Sequence, residues 1–292
     1  MANGRPVALV TGASRGIGKA TAIDLAAGGF DVAVAARTAL DGRGRSDTDP
    51  GLALPGGLDT TVAQVEREGA AGLAIAMDLL DRPAVLGAVA ATVERFGRLD
   101  VLVNNAIYQG PGTLARFAEV TDDELWALLE GNVVAQLALI RAALPRLVDR
   151  AGGTIVNLVS GAGHLQPPAK VGEGGWSLGY AMSKAAFGRV APVLHVEYAE
   201  VGLRVFSVDP GWTITERTMA AGRAAQYSQR FTPGTPDVIA RAIRWLVTDA
   251  EADALRGKIV MAQAEVDERR LLDRWPSPTS QDRPWEERDR DT

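Results

Sequence analysis

The stretch "PVALVTGASRGIGKA", residues 6–20, sets the reading of the fold. Residues 6–11 form a short aliphatic run without polar alternation, the pattern of a strand buried on both faces of a parallel sheet. Gly12, Gly16 and Gly18 follow with G-x-x-x-G-x-G spacing and lead straight into a helical stretch near 16–28. Glycines at such a junction let the backbone turn sharply and approach a pyrophosphate, which the free N–H groups of a helix N-terminus hold. The spacing departs from the usual G-x-G-x-x-G fingerprint. The turn alone is therefore weak evidence, and its place between a strand and a helix strengthens it.

The same alternation continues along the chain. Strands are expected at 6–11, 31–36, 72–77, 100–103, 153–159, 203–208 and 257–262, with helices near 16–28, 59–69, 81–96, 121–149, 178–200 and 236–248. Pro145 should mark the last turn or a kink of the 121–149 stretch. Strand–helix alternation of this kind gives an α/β fold: one doubly wound (Rossmann) parallel sheet of about seven strands with helices on both faces. Residues 1–263 are expected to form this domain. Two Gly/Pro-rich segments, 38–58 and 161–176, interrupt the rhythm, and residues 264–292 read as a charged tail.

Composition narrows the function. The chain has 292 residues, 47% hydrophobic and 23% charged, which suits one sizeable globular core. A net charge of −5 gives no basic surface, so nucleic acid is not an expected partner. There is no cysteine, which excludes disulfides, thiolate metal sites and a cysteine nucleophile. No secretory leader is evident and the apolar runs are short for a bilayer, so a cytoplasmic protein without membrane contact is expected. His164 and His195 are the only histidines and lack clustered carboxylates, so no metal site is expected.

At the end of the second strand, where an acidic residue often accepts from the ribose 2′-OH of NAD, stand Ala36 and Arg37. Arg15 lies in the glycine loop. Two guanidiniums converging on one spot suit a 2′-phosphate, which favours NADP(H) over NAD(H). Asp78, after the third strand, is placed to accept from the adenine amino group or to cap the next helix. In "SLGYAMSKAAF", residues 177–187, Tyr180 and Lys184 share one helix face. A free tyrosine, with a pKa of about 10, is a poor acid or base at neutral pH. An ammonium about 5 Å away supplies about 3 kcal/mol toward ionising it at an effective dielectric near 20, and under about 1 kcal/mol in water. The pair works only in a dry cleft; otherwise it is a packing contact with the amine reaching solvent.

Together these segments resemble the short-chain dehydrogenase/reductase family over roughly residues 5–262. The resemblance rests on "TGASRGIG" (11–18), "NNA" (104–106), Asn132 in "GNVVAQ", Ser160, "YAMSK" (180–184) and "PG" (210–211). It implies an NAD(P)-dependent oxidoreductase that interconverts a ketone and a secondary alcohol. Tyr180 would be the general acid/base and Lys184 would bind the nicotinamide ribose and lower the tyrosine pKa. Ser160 would bond the substrate oxygen, and Asn132 would sit in a helix break and hold a relay water. The cofactor cleft would be lined by Gly12, Ser14, Arg15, Gly16, Ile17, Gly18, Asn104, Ala106, Pro210, Gly211, Thr213 and Thr215. A homotetramer or homodimer through the helices near 121–149 and 178–200 is implied as well.

Three features depart from the family pattern. Ile107 replaces a usual glycine, the Ser160–Tyr180 gap is long, with Ser177 as the fallback serine, and the last strand lacks its glycine-rich ending. Both insertions follow strand ends, the side on which such sheets bind ligands. Segment 38–58 should flank the adenosine and 161–176 the substrate. Tyr108, His164, Trp176 and Trp212 are candidates for contact with a bulky, apolar carbonyl or alcohol. The competing readings are an enoyl reductase and a catalytically silent nucleotide-binding scaffold.

Overall fold

A computed structural model of the chain describes residues 4–149, 152–222, 233–273 and 275. Seven parallel strands form one sheet: β1 (Val7–Thr11), β2 (Asp31–Ala36), β5 (Gly72–Ala76), β6 (Val101–Asn104), β7 (Thr154–Leu158), β8 (Arg204–Asp209) and β9 (Ile259–Met261), in the order β5-β2-β1-β6-β7-β8-β9. The order reverses at β1, and β6 pairs with its other edge through Ala8↔Val101 and Val10↔Val103. That reversal opens the crevice in which open α/β sheets bind ligands. Residues of β1, β2, β6, β7 and β8 are buried almost throughout because helices cover both faces.

One face is covered by α1 (Gly16–Ala27), α2 (Leu58–Arg67) and α9 (Pro236–Thr248). The other is covered by α3 (Arg82–Phe96), α4 (Asp122–Leu129), α5 (Ala135–Val148), α6 (Leu178–Gly188) and α7 (Val190–Tyr198). Phe206, Ile243 and Leu246 pack in the first layer, and Leu102, Leu139 and Phe187 in the second. A short helix α8 (Glu216–Ala220) follows β8.

The 121–149 stretch is helical throughout, but a π-helical turn, Glu130–Val134, separates α4 from α5. Pro145 lies in the last turn of α5. Asp122–Val148 is long and apolar enough to cross a membrane by length and composition, which the short apolar runs had not suggested. Half of its most apolar window is buried inside the protein, as expected of a core helix.

Segment 38–58 is ordered around a small antiparallel hairpin, β3 (Gly44–Arg45) with β4 (Ala53–Leu54). The expected division at 263 falls inside a helix, α10 (Ala262–Glu268), whose Val266 is fully buried. Leu271, Leu272 and Trp275 pack on the same core. The remainder of the expected tail, 276–292, lies outside the described residues.

Candidate active site

The glycine loop is built to let backbones touch. Gly12 has φ +66°, and its N–H donates to the Ala35 carbonyl at 2.7 Å. The "NNA" segment is stitched to it: the Thr11 hydroxyl accepts from the Asn105 and Ala106 N–H groups, both at 3.0 Å. The Asn105 side-chain amide donates to the Thr11 carbonyl at 2.8 Å. Ser14 is buried, and Ile17 packs against the core. Asn104 is buried and donates to Asn157 at 2.9 Å, and the Ala106 carbonyl accepts from Gln136.

α1 begins with no side-chain cap and no acidic residue in its first turn. The Gly16 N–H donates to Glu216 Oε2 at 2.9 Å. A carboxylate thus sits on the positive end of the helix, so the donor set accepts an oxyanion, as a dinucleotide pyrophosphate requires. The same contact sets a competition. Glu216→Gln should tighten dinucleotide binding by several-fold, because one anion no longer has to displace another; calorimetric titration of the two proteins checks this.

The two guanidiniums do lie within each other's field, and each also has partners inside the protein. Arg15 donates to the carbonyls of Pro55 (2.7 Å) and Gly56 (3.2 Å) and to the Thr38 hydroxyl (3.2 Å). Arg37 is paired with Asp47, Nη2 to Oδ1 at 2.6 Å, and lies 4.0 Å from Asp78. Segment 38–58 supplies most of these partners, so it lies against the glycine loop. Asp81, not Asp78, caps α3 by accepting from Ala84 N–H. Asp78 instead accepts from Leu80 N–H. Tyr108 shares its electrostatic surroundings with Asp47, Arg37 and Asp78, and burial raises its pKa.

The residues expected to do chemistry are brought together. Asn132 lies in the π-helical turn, a geometry that recurs at functional sites. It accepts from Tyr108 N–H at 2.7 Å and donates to Ser183 at 3.3 Å. Ser160 follows β7, accepts from Ala162 N–H and lies close enough to the half-buried Tyr180 to act on its hydroxyl. Ser177 donates to the Thr113 carbonyl and caps α6 by accepting from Tyr180 N–H, so its hydroxyl is already engaged. Lys184, one turn beyond Tyr180, is buried and donates to the Leu158 carbonyl at 2.8 Å.

Electrostatics differ from the sequence expectation. Burial raises the Tyr180 pKa, the Ser160 bond lowers it and Asp209 adds to the rise. Burial lowers Lys184 to about 8, opposed by Asp209. This fixes a pH dependence of stability. Between about pH 8 and the unfolded value of 10.5, the unfolded chain keeps a proton that the folded chain has shed. The contribution of this group is least favourable below pH 8 and recovers as pH rises, by at most about 3 kcal/mol. Unfolding free energies of the native chain and Lys184→Met, measured from pH 7 to 10, should therefore diverge in favour of the native chain as pH rises.

Over these groups lie two loops. The 161–176 segment starts as a 3-10 turn, Gly161–Gly163, and His164 Nε2 lies 2.9 Å from Asp209 Oδ2. Asp209 also accepts from Gly211 N–H, and the Thr213 hydroxyl donates to the Pro210 carbonyl. Thr215 caps α8, and its methyl lies beside Gly16. Trp176 and Trp212 are both half-buried. Sequence reasoning missed Asn105, Glu216, Asp47 and Asp209. Asn105 sits inside a motif already singled out, and Asp209 directly precedes "PG"; Asp47 and Glu216 have no local signal.

Comparison with known proteins finds relatives over most of the chain. The short chain dehydrogenase family profile matches residues 6–44 and 54–226. An uncharacterised NAD-dependent oxidoreductase of Mycobacterium tuberculosis is 34% identical over 266 residues, covering 86% of this chain and 92% of that protein. A 3-oxoacyl-[acyl-carrier-protein] reductase of Synechocystis is 30% identical over 254 residues, covering 86% and 93%. The crystal structure of a short chain dehydrogenase from Mycobacterium paratuberculosis bound to NAD matches with a TM-score of 0.71 at 26% identity, covering 88% and 95%.

Proposed function

The chain belongs to the short-chain dehydrogenase family of oxidoreductases, and we propose that it transfers hydride between a nicotinamide dinucleotide and a ketone or secondary alcohol. The observation that carries this is the placement of Ser160 beside Tyr180 with Lys184 buried one turn away. When bound, the nicotinamide supplies or accepts the hydride at the carbonyl carbon. In the reducing direction, the Tyr180 hydroxyl gives its proton to the carbonyl oxygen, and Ser160 holds that oxygen. Lys184 sits where it can hold a ribose hydroxyl, and Asn132 ties the π turn to the Tyr108 backbone and to α6.

The cleft fits the dinucleotide through Gly12, Ser14, Gly16, Ile17 and Gly18 at the pyrophosphate, Asn104 and Ala106 along the wall, and Pro210, Gly211, Thr213 and Thr215 toward the nicotinamide. The NADP(H) preference expected from Arg15 and Arg37 is not supported by their hydrogen bonding, and the NAD named for mycobacterial relatives supports NAD(H). Trp176, Trp212 and His164 line the substrate side, which favours a bulky, apolar carbonyl or alcohol. Exposed Trp126, Val193 and Val196 on α4 and α7 support a homodimer or homotetramer through those helices. A panel of ketones and alcohols followed at the nicotinamide absorbance, with both nucleotides, tests the reading. Turnover of bulky apolar members is expected. No turnover with any carbonyl or alcohol would overturn the reaction, and turnover of small polar aldehydes or sugars alone would overturn the substrate class.

A further inference from the structure

β2 ends at Ala36, so the strand carries no acid where one would receive a ribose hydroxyl. The hairpin of β3 and β4 returns a carboxylate to that place from the insertion. Asp47 Oδ1 and Oδ2 lie 2.6 and 2.8 Å from Arg37 Nη2. The Asp47 side chain is 14% exposed against 46% for Arg37, so the carboxylate is the more buried member of the pair. Gly56 N–H donates to Asp41 at 2.7 Å, and Asp41 N–H to Asp59 at 3.1 Å, which fixes the base of the hairpin on α2. Asp47 also lies in the stretch that the family profile passes over, between residues 44 and 54.

The energy of the Arg37–Asp47 pair is not the point, since exposed ion pairs contribute little. What matters is where the charges sit. Arg37 faces both Asp47 and Asp78, while the charges around Arg15 are Glu216, Arg37, Asp47 and Asp41 and its donors are on Pro55, Gly56 and Thr38. A 2′-phosphate bears about −1.5 to −2 charges at neutral pH. It would meet no net positive charge here and would have to displace Asp47 from Arg37. A ribose diol does the opposite, because its hydroxyls donate to a carboxylate that accepts only. We infer that Asp47, carried by the 38–58 insertion, is the residue that selects NAD(H) over NADP(H). The inference rests on the dinucleotide site proposed above.

The test is binding, which needs no substrate. NADH and NADPH are titrated by nicotinamide fluorescence into the native chain, Asp47→Asn and Arg37→Ala. The native chain should bind NADH at least about 10-fold tighter than NADPH, each carboxylate charge near a phosphate being a sizeable penalty. Asp47→Asn should shrink that ratio at least about 10-fold, through tighter NADPH binding. Arg37→Ala, which leaves the carboxylate without its cation, should widen it. A native preference for NADPH overturns the inference, as does an unchanged ratio in Asp47→Asn. If Asp47→Asn does not fold, an unwidened ratio in Arg37→Ala overturns it instead. Binding of neither nucleotide to the native chain overturns the site reading itself, a distinguishable failure.

Discussion

Tyr180→Phe should lower turnover by about 10³-fold, within the range general acid–base catalysis supplies, while dinucleotide affinity changes by less than about twofold. The substitution removes one hydroxyl and keeps the ring, so packing around α6 is preserved. The deleted group is the one that burial and the Ser160 bond act on, and no other side chain in the described site is placed to replace it. Ser177 is occupied by its cap on α6 and its bond to Thr113, and the Lys184 amine by Leu158. Single-turnover kinetics with saturating nucleotide, alongside nucleotide titration, separates the two effects. A fall in affinity equal to the fall in rate would mean that Tyr180 holds the nucleotide and does not move the proton. Equal turnover in both proteins would remove Tyr180 from the chemistry.

Gly18→Ala should weaken dinucleotide binding by about 10²-fold and lower stability by about 1–3 kcal/mol. A Cβ at Gly18 would lie 2.4 Å from the Gly12 carbonyl oxygen and 2.4 Å from the Asn105 amide. The first neighbour is backbone and cannot rotate away. The loop must shift by roughly an ångström, which is enough to cost about 100-fold in a site that depends on position. Overpacking of a tight interior contact accounts for the stability loss. Gly12 meets the same wall, since a Cβ there would lie 2.8 Å from Ala106 Cα and Gly12 also has a left-handed φ of +66°. Urea unfolding and nucleotide titration of Gly18→Ala give both quantities. Native-like binding would show that the loop does not lie against the nucleotide.

The strand and helix pattern was legible because each signal is local. Aliphatic runs such as Val7–Val10, the glycine loop after them and the i, i+4 spacing of Tyr180 and Lys184 each lie within a few residues of chain. Ordered along the sequence, they were enough for the parallel sheet, the dinucleotide crevice and the family. The electrostatics were not legible in the same way. The sequence placed an ammonium beside Tyr180, but the fold turns that amine to the Leu158 carbonyl, burying the lysine and half-burying the tyrosine, so desolvation sets the direction of each shift. The arginines at 15 and 37 read as free cations until the hairpin supplied their partners.

What the sequence determined by itself is the architecture and the identity of the chemical groups, because periodicity and motif spacing act over one or two turns of backbone. What only the tertiary structure decided is which groups meet. Glu216 reaches Gly16 across 200 residues, His164 reaches Asp209 across 45, and Asp47 is folded back onto Arg37 by a hairpin of two-residue strands. Such pairings depend on strand order and loop closure, and the steep fall of Coulomb interaction with distance and solvent makes the charge of a site a property of the folded chain.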